Sequence, residues 1–159
     1  EALLNALIQI RKLAELPDRS NFLIERAKIS AENSVLKKDY NNRVLIIEND
    51  EAMTVLLKTI LELQGYKPDV ISHFNEFAAV KEPPAVVICD AGTLENLTGL
   101  EICKTLRGID IFNNTRIIVT SIFHDKELVL NSGADLYLPK PYELSHLVKW
   151  VKTFIDEVN

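Results

Sequence analysis

The stretch VLIIENDEAMTVLLKTILELQG, residues 44–65, sets the architecture. Residues 44–47 form a continuous apolar run, the pattern of a parallel strand buried on both faces. Glu48, Asn49, Asp50 and Glu51 follow at its carboxyl end. Met53, Leu56, Leu57, Ile60 and Leu63 then recur at helical spacing on one inward face, and Gly65 closes the helix. A buried strand feeding an amphipathic helix is the first half of a β–α–β unit.

The unit repeats down the chain. Residues 69–72 read as a short, weaker strand, and residues 75–81 as a short helix ended by Pro83 and Pro84. Residues 85–89 are a second buried run. A polar loop over 91–98 leads to a helix carrying Ile102, Cys103 and Leu106. Residues 116–119 are a third run, and residues 124–132 a short helix stopped by Gly133. Residues 136–138 make the fifth strand. Residues 143–158 make the last helix, with Leu144, Leu147, Val148, Val151 and Phe154 inward. This alternation predicts an α/β fold: a doubly wound, five-stranded parallel sheet with helices on both faces.

Residues 1–42 differ from the rest. They hold no glycine and a single proline, Pro17, with seven basic and six acidic residues. Apolar residues at Leu3, Leu7, Ile10, Leu13 and Leu16, then Leu23, Ala27, Ala31 and Val35, predict a helical extension, with 37–42 as a polar linker. Two such elements are too small to hold a core of their own, so they pack on the main domain, on a partner, or on a second copy as a homodimer contact.

The 159 residues carry a net charge of −5, which does not favour direct nucleic-acid binding. No apolar run is long enough to cross a bilayer, and no secretory signal pattern is present, so a cytoplasmic location is expected. The chain opens at Glu1 and reads as a fragment or a processed product. Cys89 and Cys103 sit in apolar or helical contexts and read as buried free thiols. His73, His124 and His146 have no metal-ligand spacing, although His124 falls near the expected mouth of the site. Trp150 reads equally well as a partner-facing aromatic and as a core edge.

In open parallel sheets, ligands bind beyond the carboxyl ends of the strands. Those ends hold Glu48, Asn49, Asp50 and Glu51 after the first strand, Asp90 after the third, Thr120 and Ser121 after the fourth, and Lys140 after the fifth. Clustered oxygen donors suit Mg²⁺. A carboxylate beside a metal and a lysine can act as a nucleophile toward a phosphoryl group, and a hydroxyl can hydrogen-bond a transferring oxygen. Asp50 reads first as a helix start, where an acid meets the helix dipole.

From Arg43 to Asn159 the chain resembles a response-regulator receiver domain of bacterial two-component signalling. The segments that carry the likeness are VLIIEND (44–50), VVICD (86–90), GLEICKTLR (99–107), RIIVTS (116–121) and, most specific, GADLYLPKP (133–141). The resemblance divides the chain into a helical extension, 1–42, and a receiver, 43–159. It implies a flavodoxin-like sheet with strand order 2-1-3-4-5. It implies that Asp90 accepts a phosphoryl group from a histidine kinase or phosphotransfer protein. Glu48 matches one of the acidic pair that holds Mg²⁺, with Asn49, Asp90 and the Gly92 carbonyl completing the ligand set. Thr120 matches the switch hydroxyl, Ser121 the adjacent small residue, Tyr137 the aromatic that moves inward on activation, and Lys140 the invariant lysine. The Lys140–Pro141 bond is cis in such domains. The implied role is regulatory, not enzymatic, with an output domain upstream or on a separate protein, since the last receiver helix ends near Asn159.

Three features depart from the family pattern. Asn49 stands where an aspartate is usual, which predicts weaker Mg²⁺ binding. The segment AGTLENLTG after Asp90 lacks the usual Met-Pro pair and carries about one extra residue. The span from Thr120 to Lys140 is about two residues short, which predicts a trimmed fourth helix or a trimmed loop before it. They raise a second reading: a degenerate receiver that binds proteins independently of phosphorylation.

Overall fold

The computed structural model describes residues 40–159 apart from 73, 95–96 and 123–124. The helices expected before residue 40, and His73 and His124, lie outside the described residues. Five strands form one parallel sheet: β1 (Arg43–Ile47), β2 (Lys67–Ile71), β3 (Val86–Asp90), β4 (Arg116–Ser121) and β5 (Leu136–Pro139). Their order is β2-β1-β3-β4-β5, as the resemblance implied, with every neighbouring pair parallel. The α-helices are α1 (Glu51–Leu63), α2 (Gly99–Arg107), α3 (Lys126–Asn131) and α4 (Leu144–Val158).

The sheet separates two apolar layers, because successive strand residues point to opposite faces. Val44, Ile46, Ile88 and Ile118 face α1 and α4, where Leu57, Ile60, Leu61, Leu147, Val151 and Ile155 close over them. Leu45, Ile47, Val87, Cys89, Ile117 and Val119 face the other way, against Ile102, Cys103 and Leu106 of α2 and Val129 of α3. Both cysteines are buried and free, as expected. Trp150 packs at the edge of the first layer, tilted against Phe154 and donating its indole N–H to His146.

Several expectations are corrected. β2 begins at Lys67, two residues earlier than expected, and ends at Ile71, because it is an edge strand whose Lys67 and Asp69 point to solvent. The helix expected over 75–81 is a 3₁₀ turn, Phe74–Ala79, since the two prolines that follow leave too little chain for an α-helix. Leu63 is exposed and not inward, because it lies past the edge of the stripe set by Leu57, Ile60 and Leu61. α3 is shorter than expected: Asp125 caps it, accepting from the N–H groups of Glu127 and Leu128. β3 and β4 run further than expected and contain Asp90, Thr120 and Ser121 as their last residues.

The segment after Asp90 is not all loop. Thr93–Leu94 pairs antiparallel with Leu97–Thr98, and Thr98 then caps α2 in a reciprocal capping box with Glu101. The helix enters directly over the backbone that leaves β3. At Gly99 an added Cβ would lie 2.5 Å from the Ala91 Cα and 2.6 Å from the Asp90 carbonyl oxygen. Gly99→Ala should therefore push α2 off β3 and lower stability by about 1–3 kcal/mol, as overpacking does. The urea midpoint measures it; an unchanged midpoint would show that the segment after Asp90 yields freely.

Candidate functional site

The carboxyl ends of β1, β3, β4 and β5 converge on one charged group. The Lys140 ammonium lies 3.0 Å from Asp90 Oδ1 and 3.3 Å from Glu48 Oε2. Parallel register puts these residues there. Ile47 pairs with Cys89, so Glu48 and Asp90 leave adjacent strands side by side. Asp90 pairs with Thr120, and Ser121 with Pro139. The Lys140 N–H donates to the Ser121 carbonyl at 2.8 Å, and the Ala91 N–H to the Thr120 carbonyl at 2.8 Å, fixing the roots of both side chains. The Lys140–Pro141 peptide bond is cis, as expected.

Burial makes this arrangement consequential. The Glu48 side chain is only 5% exposed, whereas those of Asp90 and Lys140 are 21% and 20% exposed. A carboxylate with so little water depends on its protein partners. Among the described residues, Glu48 accepts from Lys140 on Oε2 and from the Asp50 N–H on Oε1 at 3.0 Å. Burial by itself pulls the Lys140 ammonium down. The hydrogen bond that the ammonium donates to Asp90 and the charges of Glu48 and Asp90 outweigh it and hold the group above the ordinary lysine value.

The structure places the remaining residues singled out in the sequence as follows. Asn49 is exposed at the rim beside Glu48. Asp50 caps α1, its Oδ1 accepting from the Met53 N–H at 3.0 Å, so it serves the helix start. Gly92 lies over Asp90: a Cβ there would fall 2.7 Å from Asp90 Oδ2. Thr120 is buried in the register position beside Asp90. Tyr137 is half-buried on β5, with its hydroxyl 3.5 Å from the Ser121 carbonyl, at the limit of a hydrogen bond. Sequence reading missed Tyr142, whose hydroxyl is buried without a hydrogen-bond partner among the described residues. Its place directly after Lys140–Pro141 was the available signal.

The donor set suits a hard cation such as Mg²⁺: two carboxylates, the Asn49 amide oxygen and the nearby Gly92 backbone supply only oxygen. The absence of a Cβ at Gly92 leaves Asp90 Oδ2 open on that side. Among the described residues no group of three or more His, Cys, Asp or Glu side chains is placed to hold a metal, so two carboxylates would carry the charge.

Comparison with known proteins agrees with this geometry. Residues 44–152 match the response regulator receiver domain. The transcriptional regulatory protein TrcR of Mycobacterium tuberculosis is 33% identical over 109 residues, which cover 67% of this chain and 42% of that protein. The receiver domain of the Francisella response regulator 1452 superposes with a TM-score of 0.67 at 27% identity, covering 75% of this chain and all of that one. A response regulator from Burkholderia pseudomallei, solved with a phosphorylated aspartic acid, a calcium ion and citrate, superposes with a TM-score of 0.62 at 25% identity. It is covered over 71% of its length and covers 74% of this chain. The chain spans about half the length of the curated relatives it matches. It belongs to the response regulator receiver family of two-component signalling, with a flavodoxin-like fold. No helix among the described residues is long and apolar enough to cross a membrane.

Lys140→Met should leave Glu48 and Asp90 facing each other without a cation and destabilise the fold by about 2 kcal/mol near neutral pH. Because the folded-state pKa of Lys140 is raised, its contribution is fully present below the ordinary value of 10.5 and fades as pH climbs through the raised one. Thermal unfolding of both proteins from pH 6 to 11 checks this. A difference that vanished below pH 9 would contradict it.

Proposed function

We propose that Asp90 is the phosphoacceptor of a working receiver, and that its modification switches a protein-interaction surface. The observation that carries this reading is the Lys140 ammonium held between Asp90 and Glu48. It positions Asp90 and leaves positive charge where phosphoryl oxygens would develop theirs. The donor would be a histidine kinase or phosphotransfer protein working in the cytoplasm. An Asp90 carboxylate oxygen would bond to phosphorus as the donor's phosphorus–nitrogen bond breaks.

Mg²⁺ fits the site through Glu48, Asn49, Asp90 and the Gly92 carbonyl, and when bound it offsets phosphoryl charge. Asn49 brings no charge, so its affinity would be weaker than with a third carboxylate. Thr120 would turn its hydroxyl to a phosphoryl oxygen. Tyr137 would repack against β4, and the surface of α3, β5 and α4 would shift toward its active state. Residues 43–159 are the receiver in this account and 1–42 a helical extension, with readout by an output domain in the same protein or on a separate one.

Asn49 and the altered segment after Asp90 favour one alternative, a receiver that binds partners without phosphorylation. Acetyl phosphate with Mg²⁺ separates the two. The account expects an intact-mass gain of one phosphoryl group that is lost in Asp90→Asn. No gain at any Mg²⁺ concentration would favour the constitutive binding module.

A further inference from the structure

A doubly wound parallel sheet has helices over both of its faces. In this chain one stretch is left short of cover. α1 and α4 close over the first face, and α2 and α3 pack on the second. The crossover from β2 to β3 holds only the 3₁₀ turn Phe74–Ala79, which is too short to lie along β1 and β2. Phe77 and Val80, the apolar residues this crossover adds to the second layer, stay only partly buried. Among the described residues a groove of about 580 Å³ remains there, lined on its apolar side by Leu45, Val70, Ile71, Val80 and Pro84.

The same chain offers an occupant at the rim. Asn41, next to the first described residue, donates its side-chain N–H to the Pro83 carbonyl at 2.8 Å. Pro83 stands between Glu82 and Pro84, which both line the groove. Residues 1–39 therefore join the domain at the edge of the groove. Within them Leu23, Ala27, Ala31 and Val35 read as the apolar stripe of a helix, which 37–39 join to Tyr40. A helix over 20–36 is about 25 Å long, enough to lie along β2, whose five residues span about 16 Å. Charge agrees with this fit. Residues 20–38 carry four basic and two acidic side chains. The groove is rimmed by three acids, Asp69, Glu76 and Glu82, against two bases, Arg43 and Lys81.

We propose that residues 20–36 seat as a helix in this groove of their own chain and supply the cover that the β2–β3 crossover lacks. The inference rests on reading residues 1–42 as a helical extension and is independent of the phosphoacceptor reading. The groove shares no lining residue with the Lys140 site. Seated there, the extension lies beside the edge strand β2 and shields it from pairing with another chain.

The test uses the full chain with a nitroxide attached at Asn33→Cys, on the helix face opposite the stripe. Cys89 and Cys103 are buried, so the label is selective. The ¹⁵N-labelled, spin-labelled chain is diluted into unlabelled wild type. The Val70 and Val80 amide signals should lose most of their intensity. Those of Thr153 and Glu157 should keep theirs, although α4 meets Asn41 from the other side through Asn159. Ala27→Glu puts a charge in the stripe and should restore the Val70 and Val80 signals. In a mixture of ¹⁵N wild type with spin-labelled, unlabelled chain, all four signals should stay full. Loss at Val70 and Val80 in that mixture would assign the groove to a second copy and overturn the inference. Equal loss on both sides of Asn41, or loss that survives Ala27→Glu, would show a tether without a seat and also overturn it. Full signals at Val70 and Val80 with helical carbon shifts over 20–36 would overturn the seat and leave the helical extension standing. Carbon shifts without helical values would overturn the extension reading, and this inference with it.

Discussion

One ammonium group keeps two carboxylates, one of them almost inaccessible, at the same end of a parallel sheet. Without Lys140, the Glu48 charge would be buried beside that of Asp90 with no ammonium between them. The fold delivers the three side chains by register alone. β1 and β3 present the acids side by side, and β5 returns the lysine across β4. The tight entry of α2 at Gly99 fixes the backbone that leaves Asp90. A site built on strand ends is held by the same ladder that makes the core, so its geometry costs little extra ordering.

The opposite end of the sheet is organised for rigidity. Asp135 accepts from the Ile117 N–H at 2.7 Å and from the guanidinium groups of Arg107 and Arg116. Arg107 also donates to the Gly133 and Thr115 carbonyls, each at 2.8 Å. Its side chain packs so closely on Gly133 that a Cβ there would fall 2.7 Å from Arg107 Cγ. Gly133 has φ +107°, which other residues rarely adopt. This clamp ties α2, β4 and β5 together at one end. At the other end the same strands carry Thr120, Tyr137 and Lys140, where a change in charge can be felt.

The sequence was most readable where periodicity and burial coincide. The apolar run at 44–47, the stripe on α1 and the charged residues at the strand ends all follow from pattern. The helix-start role of Asp50 follows from its place before that stripe. β2 was blurred because an edge strand with Lys67 and Asp69 outward has no buried run to show. The crossover before β3 was misread as helical, since apolar spacing over six residues does not tell a 3₁₀ turn from an α-helix. The segment 133–141 stood out as a family signature, yet its residues serve two ends: Gly133 and Asp135 the clamp, Lys140 the acid site. Tyr142 escaped notice because its neighbours in sequence, Lys140, Pro141 and Glu143, read as a polar turn. Only the placement of its hydroxyl among buried atoms shows otherwise.

The central claim is that the Lys140 bridge is poised to pass to a phosphoryl group on Asp90. A crystal structure grown with Mg²⁺ and beryllofluoride tests it most directly. The account predicts beryllofluoride bonded to Asp90, the Lys140 ammonium on a fluoride and its distance to Glu48 lengthened beyond 3.3 Å. An unmodified Asp90 with Lys140 still bridging both acids, at saturating beryllofluoride, would contradict it.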